Sequence, residues 1–117
     1  MINVGIIGLG RMGLIRLQEI SKLNFAKVVK VYDPNNNSKL SNASSPEEII
    51  NNKKIDVVFI CTPNSFNMNY TINALNNNKH VFCEKPPALN TKEVRKIKKC
   101  EDSTGKVLMH GFNHRHH

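Results

Sequence analysis

Five short runs rich in Val, Ile and Phe recur along this chain at intervals that leave room for a helix between each pair. They are INVGIIG (Ile2 to Gly8), AKVVKVYD (ending at Asp33), DVVFICT (Asp56 to Thr62), HVFCEK (His80 to Lys85) and KVLMHGFNH (ending at His114). A strand with one face in water alternates apolar and polar residues, and DVVFICT does not, so both of its faces must be covered. The intervening segments read as helices. One runs from about Met12 to Leu23, and a second opens at SPEEIINN, where Ser45, Pro46 and Glu48 form a capping-box start with proline at the first helical position. A third runs from an Asn64 cap to about Asn77, and a fourth from Thr91 to about Ser103, with Gly105 as its terminator. The polar stretch NNNSKLSNAS can hold a further short strand. This succession predicts an α/β fold, a doubly wound parallel sheet in one domain.

The fourth run ends abruptly. After Val81, Phe82 and Cys83 come Glu84, Lys85, Pro86 and Pro87, and neither proline can donate a ladder hydrogen bond, so the strand must stop at about Glu84. A carboxylate and an ammonium are thereby set on the lip of a buried strand. Solubility alone does not require that arrangement.

Bulk properties exclude several classes. The chain has 117 residues and no apolar stretch near the 18 or so of a membrane span, so no membrane partner is expected. MINVGIIGLG lacks the basic leader and cleavage site of a secretory signal. Cys61, Cys83 and Cys100 are odd in number and far apart, and two of them lie in apolar runs, which suits reduced thiols in the cytoplasm. The net charge is +8, and the lysines cluster mainly in KEVRKIKKCED, where apolar Val94 and Ile97 lie opposite them, as on a solvated helix face. With two tyrosines, no tryptophan and no basic–aromatic interleaving, no nucleic-acid partner is expected. His114, His116 and His117 lie at the chain end, where a fixed ligand shell is not expected, so no metal is assigned.

Gly8, Gly10 and Gly13 form GLGRMG between the first strand and the first helix, the context a dinucleotide fingerprint requires. Gly8 permits the tight turn, Gly10 lets backbone approach a pyrophosphate, and Gly13 lets the helix pack close to the strand. The N–H groups of Arg11 and Met12 then point at the phosphates, aided by the helix dipole. Twenty residues beyond Gly13, Asp33 closes the second strand. A carboxylate there accepts the hydrogen bonds of a ribose diol and repels a 2′-phosphate, and the following PNNNS offers no arginine to neutralise one. NAD is therefore expected over NADP. The competing reading makes Asp33-Pro34 a plain turn and the glycines strand–helix punctuation.

Taken in order, GIIGLGRMG, VYDP, CTPN, HVFCEKPPA and LMHGFNHR resemble the N-terminal nucleotide-binding domain of the glucose–fructose oxidoreductase / inositol dehydrogenase / rhizopine-catabolism protein (Gfo/Idh/MocA) family. The resemblance spans essentially the whole chain, and its EKP motif joined to GFNHR is more specific than its glycines. It implies that Gly8, Leu9, Gly10, Arg11 and Met12 line the pyrophosphate, with Asp33 on the ribose. Thr62, Pro63 and Asn64 would pass the nicotinamide half, although Asn64 also reads as a helix cap. Glu84 and Lys85 would border the nicotinamide, and Lys85 would face the substrate carbinol as the catalytic group. Asn113 and Arg115 would lie near the same end.

An ammonium at that place can hydrogen-bond the reacting oxygen and relay its proton as hydride leaves. The bland alternative is a Glu84–Lys85 surface pair. Family members carry a second, antiparallel-sheet domain with the substrate pocket, and the resemblance places only their first domain here. It implies an oxidoreductase acting on a sugar, cyclitol or polyol, with self-association through the exposed domain interface. The alternative is an NAD-binding module without turnover.

Overall fold

A computed structural model describes residues 1–34, 39–62, 67–84 and 90–110. The chain runs through β1 (Ile2–Ile7), α1 (Arg11–Ser21), β2 (Ala26–Tyr32), α2 (Pro46–Ile50), β3 (Val57–Ile60), α3 (Asn67–Asn76), β4 (His80–Cys83), α4 (Thr91–Thr104) and β5 (Leu108–His110). Every strand pairing is parallel, and the sheet order is β2-β1-β3-β4-β5. The order grows to one side from β1 to β2 and to the other from β1 to β3. That reversal opens a crevice at the carboxyl ends of β1 and β3, the place where such sheets collect ligands.

The alternation of side chains along each strand sorts the core into two layers. Ile7, Val58, Ile60, Val81 and Cys83 pack with Ile49, Leu75, Ile97 and Cys100 of α2, α3 and α4. Val4, Ile6 and Val31 pack on the opposite face with Ile20 and Leu17 of α1. This is the doubly wound arrangement expected, with three helices on one face and one on the other. Along the α1 face a single row crosses four strands, Ile6–Phe59–Phe82–Met109. Ile6 is fully buried, the Phe59 and Phe82 rings stack at 4.8 Å half-buried, and Met109 is 46% exposed. The cover that α1 provides thus fades from β1 towards β5.

Where a short extra strand was conceivable, residues 39–45 form none. Instead Asn42 and Ala43 both donate their N–H to the Val31 carbonyl (2.9 Å each), and Asn42 Oδ1 accepts the Val31 N–H at 2.7 Å. Asn42 Nδ2 also donates to the Val29 carbonyl, beside the point where the β1–β2 register skips a residue. Two backbone amides and the Asn42 side chain do the work of a ladder, so Val29 and Val31 on the edge of β2 are satisfied without a strand.

Helix ends follow local chemistry. Ser45 Oγ accepts the Glu48 N–H at 3.2 Å with Pro46 at the first turn. The return bond of the box is displaced by one residue, because the Glu48 carboxylate accepts from the Ser44 N–H at 2.8 Å. That amide, with Lys30 beside it, holds the Glu48 carboxyl below its usual value. A complete capping box, which sequence inspection passed over, starts α4, with Asn90 and Glu93 exchanging side chain-to-backbone bonds. Gly105 ends that helix in the left-handed region at φ 75°.

One inward assignment on α4 is corrected. Ile97 and Cys100 face the core, whereas Val94 is 50% exposed. Each residue turns the helix by about 100°, so Val94 stands on the flank of a stripe centred between Ile97 and Cys100. The Asn64 cap falls outside the described residues. Among those described, no helix is long and apolar enough to cross a membrane.

Candidate functional site

The site begins where β1 meets α1. Gly8 donates its N–H to the Tyr32 carbonyl at 2.7 Å and adopts φ 102°, a conformation that side chains rarely take. A Cβ there would also stand 2.6 Å from Thr62 Cγ2. Gly13, in the first turn of α1, is tighter still, since a Cβ would lie 2.0 Å from the Gly8 carbonyl oxygen. These two glycines are demanded by the fold.

Gly10 is different. Its φ of −71° and ψ of −163° suit any residue, and a Cβ would meet nothing within 4 Å. The protein itself gives no reason for glycine at this exposed position, so the space in front of it is what glycine preserves. Gly10 is also the cap residue of α1 and brings no side chain to it, leaving the first-turn amides of Arg11 and Met12 uncapped by any side chain. An uncapped helix start with open backbone before it suits an anionic group such as a pyrophosphate. Leu9 is placed otherwise than its neighbours. Its side chain is 7% exposed within the α1 layer of the core, so only its backbone is available to a ligand.

Asp33 follows β2 directly and is 8% exposed, with its N–H donated to Ser41 Oγ at 3.2 Å. It lines an open hollow of about 480 Å³ with Tyr32, Pro34 and Ser41–Ser44. Since Tyr32 accepts from Gly8, this hollow adjoins the glycine turn. The clasp on the edge of β2 therefore also builds the wall opposite Asp33.

At the end of β3, Thr62 is buried, and its Oγ1 bonds Asn67 Oδ1 at 2.8 Å while Asn67 Nδ2 donates back to the Thr62 carbonyl. Asn67 was missed from sequence. Asn64, Asn67 and Asn69 all follow Thr62 within seven residues, so nothing in the sequence singled out Asn67. Cys61 lies between Thr62 and the sheet, with its thiol pushed up to about 12 by burial and then by the Glu84 charge, so it stays protonated and inert. Pro63 and Asn64 lie outside the described residues.

At the end of β4, the Glu84 N–H bonds the Ile60 carbonyl at 2.9 Å and its side chain is 6% exposed. Both carboxylate oxygens are taken by Arg16 of α1, Nε to Oε2 at 2.9 Å and Nη2 to Oε1 at 3.0 Å. Arg16 also bonds Glu19 at 2.8 Å, and its guanidinium carbon lies 5.0 Å from the centre of the Phe82 ring. The Glu84 bonds, above all, hold Arg16 protonated more firmly than an ordinary guanidinium. Glu84 is thus a buried group with a partner from α1, which removes the reading of a Glu84–Lys85 surface pair.

Arg16, too, was missed from sequence. Gly13, Arg16, Leu17 and Ile20 share the spacing of a buried helical stripe, and an arginine on such a stripe requires a buried carboxylate. Lys85, Asn113 and Arg115, like the terminal histidines, lie outside the described residues. What the structure brings together at the carboxyl ends of β1 to β4 is Gly8, Gly10, Arg11, Met12, Gly13, Asp33, Thr62 and Glu84.

Comparison with known proteins bears on the family and the fold. Residues 2–112 match the model of an oxidoreductase family with an NAD-binding Rossmann fold. Over 95% of its length the chain is 36% identical to 2,7-anhydro-N-acetylneuraminate hydratase of Escherichia coli, covering 32% of that protein. It is 40% identical to D-glucoside 3-dehydrogenase of the same organism across 66% of this chain and 23% of that one. Biliverdin reductase from Synechocystis, solved with biliverdin and NADP+, superposes with a TM-score of 0.82 at 26% identity, covering 93% of this chain and 37% of the reductase. The chain spans about a third of the length of the first of these curated relatives.

The contrast between the glycines can be checked by urea unfolding. Gly13→Ala should cost about 3 kcal/mol, because backbone must move to admit the methyl group. Gly10→Ala should cost no more than about 1 kcal/mol, the difference between the two residues at a helix cap. Equal costs would show that Gly10, too, is held by the fold.

Proposed function

This chain belongs to the Gfo/Idh/MocA oxidoreductase family, and from that premise we propose that it binds NAD across its strand ends for hydride exchange with a sugar, cyclitol or related polyol. The observation that carries the reading is Gly10, an open backbone position at an uncapped helix start for which the fold alone has no use. The name D-glucoside 3-dehydrogenase, borne by a relative, supports the substrate class. The relatives lend no support to the alternative, a module that binds NAD without turnover.

Bound here, the cofactor would supply the hydride acceptor. The first-turn amides of Arg11 and Met12 and the backbone of Gly8 to Gly10 would hold its pyrophosphate, while Gly13 keeps α1 close enough for them to reach. Asp33, lining the hollow beside the glycine turn, would accept both hydroxyls of the adenosine ribose. Thr62, braced by Asn67, would steady the strand end that leads into Pro63 and Asn64 near the nicotinamide, with Asn113 at the same end. Lys85 would hydrogen-bond the substrate hydroxyl and take up its proton as hydride leaves the carbinol carbon. The substrate pocket would lie in a second domain, in keeping with the share of its relatives that the chain covers.

The choice of cofactor is the first test. A relative of the fold is solved with NADP+, so the preference for NAD rests on Asp33 and on the lack of an arginine in the PNNNS that follows it. Calorimetric titration should show NAD binding more tightly than NADP, and Asp33→Ser should narrow the gap. Tighter binding of NADP by the parent chain would overturn the assignment.

The second test concerns Lys85 in a protein that joins this chain to its second domain. Lys85→Ala should lower turnover by about 10²–10³ and leave NADH binding nearly intact, since backbone groups and Asp33 hold the cofactor. The 117 residues alone should form no NADH from a panel of polyols. Turnover by this chain that survives Lys85→Ala would move the chemistry elsewhere.

A third test follows from the row that ends in Phe82 and Met109, flanked by Val107 at 43% exposed. We propose that this side, with the strand ends carrying Pro86 and Pro87, self-associates in the isolated chain. Light scattering should show a particle mass rising with concentration; a monomer throughout would rule that out.

A further inference from the structure

We infer that Arg16 is a positioning residue: its guanidinium holds the Glu84 carboxylate on α1, so that Glu84 braces the exit of β4 against the glycine turn instead of contacting the cofactor. This rests on the cofactor reading above and assigns one of its bordering groups a different task.

The geometry of the sheet makes such a brace necessary. β4 is separated from β1 by β3, a gap of about 10 Å at the usual strand spacing, and no backbone ladder joins the two. The amides that would hold the pyrophosphate ride on α1, while the group proposed to act on substrate follows Glu84 in sequence. Their relative placement therefore depends on side chains that cross β3. Arg16 lies one turn of α1 beyond those amides and is long enough to cross. Its guanidinium lies over the Phe82 ring of β4, which in turn stacks on Phe59 of β3.

The contact is forked. Nε and Nη2 each meet a different Glu84 oxygen, at 2.9 and 3.0 Å, while Nη1 is steadied by Glu19. A planar fork on a carboxylate sets an angle as well as a distance, which a single ammonium does not. With its side chain 6% exposed, Glu84 already spends both oxygens on charge-assisted bonds away from water. Asp33, which lines an open hollow, is the carboxylate placed to receive a ligand.

The test is a double-mutant cycle on the chain itself, comparing the parent with Arg16→Met, Glu84→Gln, the pair combined, and Arg16→Lys. Dissociation constants for NADH come from its fluorescence, and amide exchange at Glu84 is recorded without cofactor. Arg16→Met and Glu84→Gln should each weaken NADH by about tenfold, and the combined variant should be no weaker than either. Arg16→Lys should recover only part of the loss. The Glu84 amide, which bonds Ile60, should exchange faster in Arg16→Met while Val31 of β2 is unchanged. The combined variant leaves no unpaired buried charge, so it keeps the comparison valid should a single variant fold poorly.

Multiplying losses in the combined variant would show that Glu84 meets the cofactor directly and would overturn the inference. NADH binding equal in all five proteins would overturn it too, by making the pair structural only. A parent chain that gives no NADH response would count against the cofactor reading, and the brace would then be decided by exchange, with unaltered Glu84 protection in Arg16→Met refuting it.

Discussion

The whole arrangement hangs on one contact between two pieces of backbone. Gly13 sits so close to the Gly8 carbonyl oxygen that a methyl group would stand 2.0 Å from it. With that approach allowed, α1 lies directly on the end of β1, and its first amides emerge beside the point where the sheet order reverses. Leu17 and Ile20 then reach the layer formed by Val4, Ile6 and Val31. Arg16, on the same stripe, is carried across β3. A helix pushed outward by a side chain at Gly13 would lose the packing of its apolar stripe and the reach of its arginine together.

Two acids end up buried at strand ends on the same edge of the sheet, with β1 and β3 between them, and their surroundings differ in kind. Glu84 is enclosed with a forked guanidinium under which lies an aromatic ring. Asp33 lines a hollow whose far wall is the Ser41–Ser44 segment. Burying a carboxylate is costly unless charge and hydrogen bonds compensate it. Arg16 compensates Glu84 through both of its oxygens, while Asp33 lines the hollow.

The two faces of that sheet are also unequal. α2, α3 and α4 close one face over Ile7, Val58, Ile60 and Val81, all fully buried. On the other face, α1 shelters β1 and β2, and the exposure of Phe59, Phe82 and Met109 rises towards β5. The densest run of basic residues lies outside the first of these faces. Lys92, Arg95, Lys96, Lys98 and Lys99 all point outward from α4, whose inward side is Ile97 and Cys100. Charge there keeps a helix face in water, away from the strand ends where the site is assembled.

Much of this was legible in the residues alone, and the reason is locality. Strands covered on both faces show as runs such as VVFI without polar alternation, and turns that need glycine show it within a few residues of the strand they follow. The parallel sheet, the positions of Gly8, Gly10, Gly13 and Asp33, the Ser45 cap and the Gly105 stop are all of this kind. The rest depended on which elements become neighbours. Arg16 and Glu84 are 68 positions apart and meet only because the sheet order leaves a single strand, β3, between β1 and β4. The Asn42 clasp exists because β2 is an edge whose carbonyls need partners, and Val94 faces water because α4 turns its Ile97–Cys100 side to the sheet. Periodicity and backbone sterics are properties of a short stretch of chain, so sequence alone determined the elements and the glycine turn. The partner of a buried charge is chosen by strand order and helix rotation, and those only the tertiary structure decided.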